Sequence, residues 1–200
     1  MTRRTILTIS LLAVLVVIGF GAAYTWLRPY QSHGFMLDEA TPATDFTLNA
    51  AGNQRVSLSD YRGKIVLLYF GYTHCPDVCP TTLADLRVAL SALEAKANDI
   101  QVIMVSVDPE RDSPEWLADY VHRFDDRFVG ITGPLDQVTE IATAYGIRFF
   151  KHEGSAATGY LIDHTAKVTV IDRQGNTRMF FPFGLTSEEI AEDLRYMLSL

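Results

Sequence analysis

Six consecutive apolar, β-favouring residues, Ile65 to Phe70, run directly into Gly71-Tyr72-Thr73-His74-Cys75-Pro76-Asp77-Val78-Cys79-Pro80, which leads into a helical pattern over Thr81 to Ala97. An unbroken apolar strand has no wet face, so it belongs at the centre of a sheet covered on both sides. Pro80 cannot stand in a helix interior, where its ring would strike the carbonyl of Pro76 and its nitrogen donates nothing. The helix is therefore expected to start near Cys79, with Cys75 to Cys79 as a turn over its N-terminus. Both cysteines of the 200-residue chain thus fall at one strand-to-helix junction, where the partial positive charge of the helix end favours thiolate over thiol.

The remaining pattern extends that frame. Phe46-Thr47-Leu48 and Val56-Ser57-Leu58 read as a short hairpin, Ile100 to Val107 as a second buried strand, Pro114 to about Phe124 as a helix and Phe128 to Ile131 as a short strand. Leu135 to Tyr145 reads as a helix ended by Gly146. Strands follow at Ile147 to Lys151, Lys167 to Ile171 and Arg178 to Phe181, the last two joined as a hairpin, and Ser187 to Leu200 closes the chain as a helix. Helices crossing between apolar strands imply a parallel centre, and the late hairpin adds an antiparallel edge. The predicted fold is α/β and thioredoxin-like, a mixed sheet with flanking helices.

Ahead of this domain, Ile6 to Leu27 is an uncharged run of 22 residues, preceded by Arg3 and Arg4 and closed by Trp26 and Arg28. At 1.5 Å per residue it spans about 33 Å, enough for a hydrocarbon core. The arginine pair orients it with the rest of the chain outside the cytoplasm. Gly21-Ala22-Ala23 offers a processing site, but the run is longer than a signal-peptide core. The expected organisation is a membrane anchor over residues 1–28 as one N-terminal transmembrane helix, a Pro, Gly, Ser and Gln-containing linker over 29–44, and one domain over 45–200. The expected place is a bacterial inner membrane, single pass, with the C-terminal domain in the periplasm. From Pro29 onward the chain carries 14 basic against 24 acidic residues, a balance with no footprint for nucleic acid.

Two cysteines make no disulfide framework, so redox or metal chemistry is the better use of them. Thiol–disulfide exchange through Cys75 and Cys79 would be usual with two intervening residues, and here there are three. A peroxidatic site of the peroxiredoxin type would want Pro and Thr where Leu68 and Tyr72 stand. A metal site needs further donors, and the candidates are His164, in Asp163-His164-Thr165 just before a strand, and Asp77. Two thiolates with one imidazole suit Cu(I), or Cu(II) with a further weak donor, whereas Asp77 as a fourth ligand would suit zinc. Asp108 ends a strand at the sheet edge where open α/β folds place their sites, so it is a candidate for supporting the metal or contacting a partner. An Asp before Pro also commonly fixes a turn. His33, His74, His122 and His152 read as surface residues, and Phe180, Phe181 and Phe183 as core and rim.

Gly71 to Pro80, the segment Val105-Ser106-Val107-Asp108-Pro109-Glu110-Arg111-Asp112-Ser113-Pro114-Glu115, and Tyr160-Leu161-Ile162-Asp163-His164-Thr165 resemble the three signature stretches of the Sco/SenC family. The resemblance runs from about Phe46 to the C-terminus. It implies a membrane-anchored, thioredoxin-like copper protein that assists assembly of the dinuclear copper centre of cytochrome c oxidase, with Cys75, Cys79 and His164 as the copper ligands. The implied partners are the oxidase subunit carrying that centre, a copper donor protein and a thioredoxin-like reductant that keeps the cysteines open. The alternative is a thiol–disulfide oxidoreductase acting on the cysteines of the oxidase copper site.

Overall fold

Every residue of the strand Ile65–Gly71 (β4) is buried, and so is every residue of the strand beside it, Ile100–Ser106 (β5). Successive side chains of a strand point to opposite faces, so both faces of this pair are covered, as the unbroken apolar runs require. Each fully buried aliphatic or aromatic side chain contributes about 1.5–3 kcal/mol, which makes β4 and β5 the spine of the molecule.

The computed structural model describes residues 12–21, 30–154 and 159–200. Two units divide the chain, residues 1–31 and Ser32–Leu200. In the first, residues 12–21 are helical. The rest of the expected anchor, with Arg3, Arg4, Trp26 and Arg28, lies outside the described residues, among which no helix is long and apolar enough to cross a membrane.

In the second unit the elements follow as β1 (Phe35–Pro42), β2 (Thr47–Ala50), β3 (Gln54–Ser57), β4, α1 (Val78–Ser91), β5, α2 (Pro114–His122), β6 (Val129–Ile131), α3 (Leu135–Ala144), β7 (Phe149–Glu153), β8 (Tyr160–His164), β9 (Lys167–Ile171), β10 (Asn176–Pro182) and α4 (Ser187–Ser199). One sheet has the order β1-β10-β9-β4-β5-β6. β4, β5 and β6 run parallel, with Ile65 opposite Ile100 and Ile103 opposite Val129, while β9 joins β4 antiparallel with Val66 opposite Ile171. The mixed sheet and its crossover helices are the architecture expected from the pattern. α1 packs against α4, and α2 against β6.

Two expectations are corrected. The linker over 29–44 contains β1, which pairs with β10 at the sheet edge. Its register shifts between Met36 and Thr41 and most of its residues stay partly exposed, so no apolar period marks it. What holds it comes from the far end of the chain: the buried Asp193 carboxylate of α4 accepts the backbone N–H groups of His33 at 3.0 Å and Gly34 at 2.7 Å. The second correction concerns His164, expected just before a strand rather than in one. It is the last residue of β8, which pairs with β7 as a separate two-stranded sheet, His164 opposite Phe149. Lys151, His152 and Glu153 on β7 are exposed, so this ribbon lacks the apolar run that announces a core strand.

Candidate metal centre

Gly71 ends β4 and the chain turns over the start of α1, with the Cys75 N–H donating to the Tyr72 carbonyl at 3.4 Å. The helix begins at Val78, placing Pro80 in the first turn, where its missing N–H costs nothing. Cys79 is fully buried and Cys75 half-buried. The Cys79 N–H donates to Cys75 Sγ at 3.4 Å, so a helix-end N–H points at the outer sulfur. From the other side β8 delivers His164, whose Nε2 lies 3.3 Å from Cys79 Sγ. The donor atoms of Cys75, Cys79 and His164 all fall within 4.8 Å of one another.

Several contacts fix the imidazole. Its Nδ1 faces the Thr165 carbonyl at 3.4 Å while its Nε2 faces the sulfurs. Tyr69 and Tyr72 meet the ring edge-on, with centroids at 6.0 and 6.1 Å. The Tyr72 hydroxyl also accepts the backbone N–H of Ile162 at 3.2 Å, tying β8 to the cysteine turn. At the start of β8 the Tyr160 hydroxyl donates to Asp108 at 2.6 Å, and Arg111 donates to the same carboxylate at 2.5 Å while its guanidinium lies 3.6 Å over the Tyr160 ring.

A family model described as SCO1/SenC matches residues 36–199. The chain belongs to that family. A mitochondrial SCO2 homolog of Bos taurus is 30% identical over 194 residues, covering 92% of this chain and 73% of the relative. Among solved structures, apo Sco1 of Thermus thermophilus superposes with a TM-score of 0.75 at 36% identity, over 84% of this chain and 98% of that one. ScoI of Bradyrhizobium japonicum, solved with copper bound, superposes at 0.70 with 34% identity, over 78% and 99%.

In this SCO1/SenC chain the three candidate ligands converge as a set, and no other such group of three occurs among the described residues. The donor set fits a soft ion: two sulfurs and one imidazole nitrogen, close enough for a common partner and open on the Cys75 side. Asp77 is exposed and outside the cluster, so a fourth, closing carboxylate for zinc is not in place. The pair is electrostatically split. The Cys79 thiol donates to Cys75 and, with help from His164 and the N–H groups of Asp77 and Cys79, lowers the Cys75 pKa to about 4 against the cost of burial. Donating to Cys75 and being buried push the Cys79 pKa up.

Asp108 is 2% exposed and touches none of the three ligands through its hydrogen bonds; it anchors Tyr160 and Arg111, and through them β8. His74 lies on the surface with Nδ1 3.0 Å from the Thr73 hydroxyl. Asp163 diverges from His164 and pairs with His152 at 3.1 Å. Sequence reasoning missed Asp112. Fully buried, it accepts the Thr73 N–H at 3.0 Å, the Thr73 hydroxyl at 2.6 Å and the Ser106 hydroxyl at 2.5 Å, pinning the cysteine turn to the end of β5. An acidic residue in a segment so rich in Pro, Glu and Ser reads as a solvated turn, which hid it.

Proposed function

We propose that this protein is a copper carrier that binds one ion through Cys75, Cys79 and His164 and delivers it to the cytochrome c oxidase subunit holding the dinuclear copper centre. The observation that supports this most is the convergence of a histidine 85 residues away on the buried cysteine. Family membership and the copper-bound relative agree with it. In this reading the anchor expected over residues 1–28 tethers the protein to the bacterial inner membrane, with the domain in the periplasm facing its client, a copper donor protein and a thioredoxin-like reductant. Copper is cargo: it is held by two thiolates and an imidazole and leaves by exchange onto recipient thiols. A Cys75–Cys79 disulfide removes two of three ligands, so a reductant must act first.

The test is an anaerobic Cu(I) titration of the reduced protein against a competing chelator, with His164→Ala alongside. One-to-one binding weakened by at least tenfold in the variant supports the carrier; binding unchanged in the variant removes it. The second reading, a thiol–disulfide reductase for the client's cysteines, is favoured by the split of the pair, a low-pKa half-buried Cys75 beside a buried Cys79 thiol. On that reading His164→Ala keeps its reductase activity.

A further inference from the structure

The hydroxyl of Tyr69 is buried and has no hydrogen-bond partner among the described residues. Tyr69 is 0% exposed in the middle of β4, and leaving such a group unpaired costs about 1–3 kcal/mol. The hydroxyls of Tyr120, Thr132 and Thr169 are also unpaired. Tyr69 differs from them in its neighbours. Its ring packs edge-on against His164 at 6.0 Å. Its Cε1 and Cys79 Sγ crowd the same gap, 2.8 and 3.0 Å from where a Cβ on Gly71 would stand. Tyr69, itself fully buried, thus packs against His164 and borders the same small gap as Cys79 Sγ.

A thiol is a poor acceptor and a thiolate a good one. Cysteine coordinates a metal as the thiolate, with its proton released to solvent. The hydroxyl without a partner in the metal-free protein thus gains one beside it when Cys79 becomes a ligand. We propose that Tyr69 is a positioning residue of the copper centre, its hydroxyl donating to the Cys79 thiolate in the loaded form only. This rests on the copper reading above. The competing account is a water in the narrow cleft that Tyr69 shares with Thr82, Asp85 and Lys167, satisfying the hydroxyl in both forms alike.

The experiment compares the wild-type chain with Tyr69→Phe, which preserves the ring. Three quantities are read: melting temperature without metal, Cu(I) affinity by chelator competition, and the sulfur-to-Cu(II) charge-transfer band of the oxidised loaded form. The expected result is an unchanged or higher melting temperature without metal, Cu(I) binding weakened roughly tenfold, the loss expected for one charge-assisted hydrogen bond, and a band moved to lower energy. A variant that loses stability without metal, or binds Cu(I) as tightly as wild type with an unmoved band, overturns the assignment in favour of the hydrating water. Wild-type protein that fails to bind Cu(I) overturns the copper reading and this inference together, a result distinct from the other two.

Discussion

Gly71 is the residue on which the geometry of the centre turns. A Cβ there would lie 2.8 Å from Tyr69 Cε1, 3.0 Å from Cys79 Sγ and 3.2 Å from Met104 Cε. Methionine can yield, but the tyrosine ring and the sulfur are packed from every side, so an added methyl displaces a ligand. Gly71→Ala is expected to cost about 1–3 kcal/mol, the usual range for overpacking, and to weaken Cu(I) binding as well. Denaturant unfolding of the metal-free protein gives the first and chelator competition the second. Loss of stability with full affinity would show that the sulfur does not depend on this gap. The cysteines, Pro80 and their strand-to-helix setting were legible in the sequence because each constrains the backbone locally. The close approach at Gly71 was not, since it depends on how the side chains of Tyr69, Cys79 and Met104 pack together, which no residue spacing encodes.

At the scale of elements, the two halves of the centre differ in how they are held. The cysteine turn is bolted to the main sheet through β4, α1 and the buried Asp112. His164 rides on β8, which pairs only with β7 in a ribbon outside that sheet. Its ties to the body are side-chain bonds, Tyr72 to the Ile162 N–H and Asp108 with Arg111 to Tyr160. Tyr72→Phe leaves a buried N–H without an acceptor, a cost of about 1–3 kcal/mol. That cost is expected to appear as local opening: amide exchange across β7 and β8 quickens about tenfold or more while β4 and β5 keep their protection. Exchange quickened uniformly across the sheet would show instead that the ribbon unfolds only with the whole. This element is also where sequence reading failed. A strand paired only with an exposed ribbon partner, and tied to the body by a tyrosine hydroxyl and a guanidinium, carries no core period, so His164 was legible as a donor but not its mounting.

For the whole molecule, the decisive long-range feature is the clasp between the two ends of the Ser32–Leu200 unit. β1 looked like linker because nothing in its own sequence holds it, yet α4 supplies Asp193 to the two N–H groups just ahead of it. Around the same point His33 Nε2 lies 2.9 Å from Glu192 and Nδ1 3.6 Å from Glu189. The hydrogen bond to Glu192, with the charges of Asp193 and Glu189, raises the His33 pKa above 6.5 despite some desolvation. The sign follows from linkage. A histidine whose folded pKa exceeds its unfolded one stabilises the fold fully below pH 6.5, and that contribution disappears as pH rises through the folded value. The His33 side chain is about a third exposed, so the effect is screened and modest. It has a signature nonetheless: the melting temperature of wild type is expected to exceed that of His33→Gln at pH 5.5 and to converge with it by pH 9. A constant difference across that range would assign the contribution to packing of the ring. Asp193→Ala provides the contrast, because the buried Gly34 N–H and the partly buried His33 N–H lose a charged acceptor, and its destabilisation of about 2–4 kcal/mol should remain at pH 9, where the His33 contribution is gone. If Asp193→Ala melts like wild type, the clasp is not what seats β1, and the edge strand is held by its pairing with β10 alone.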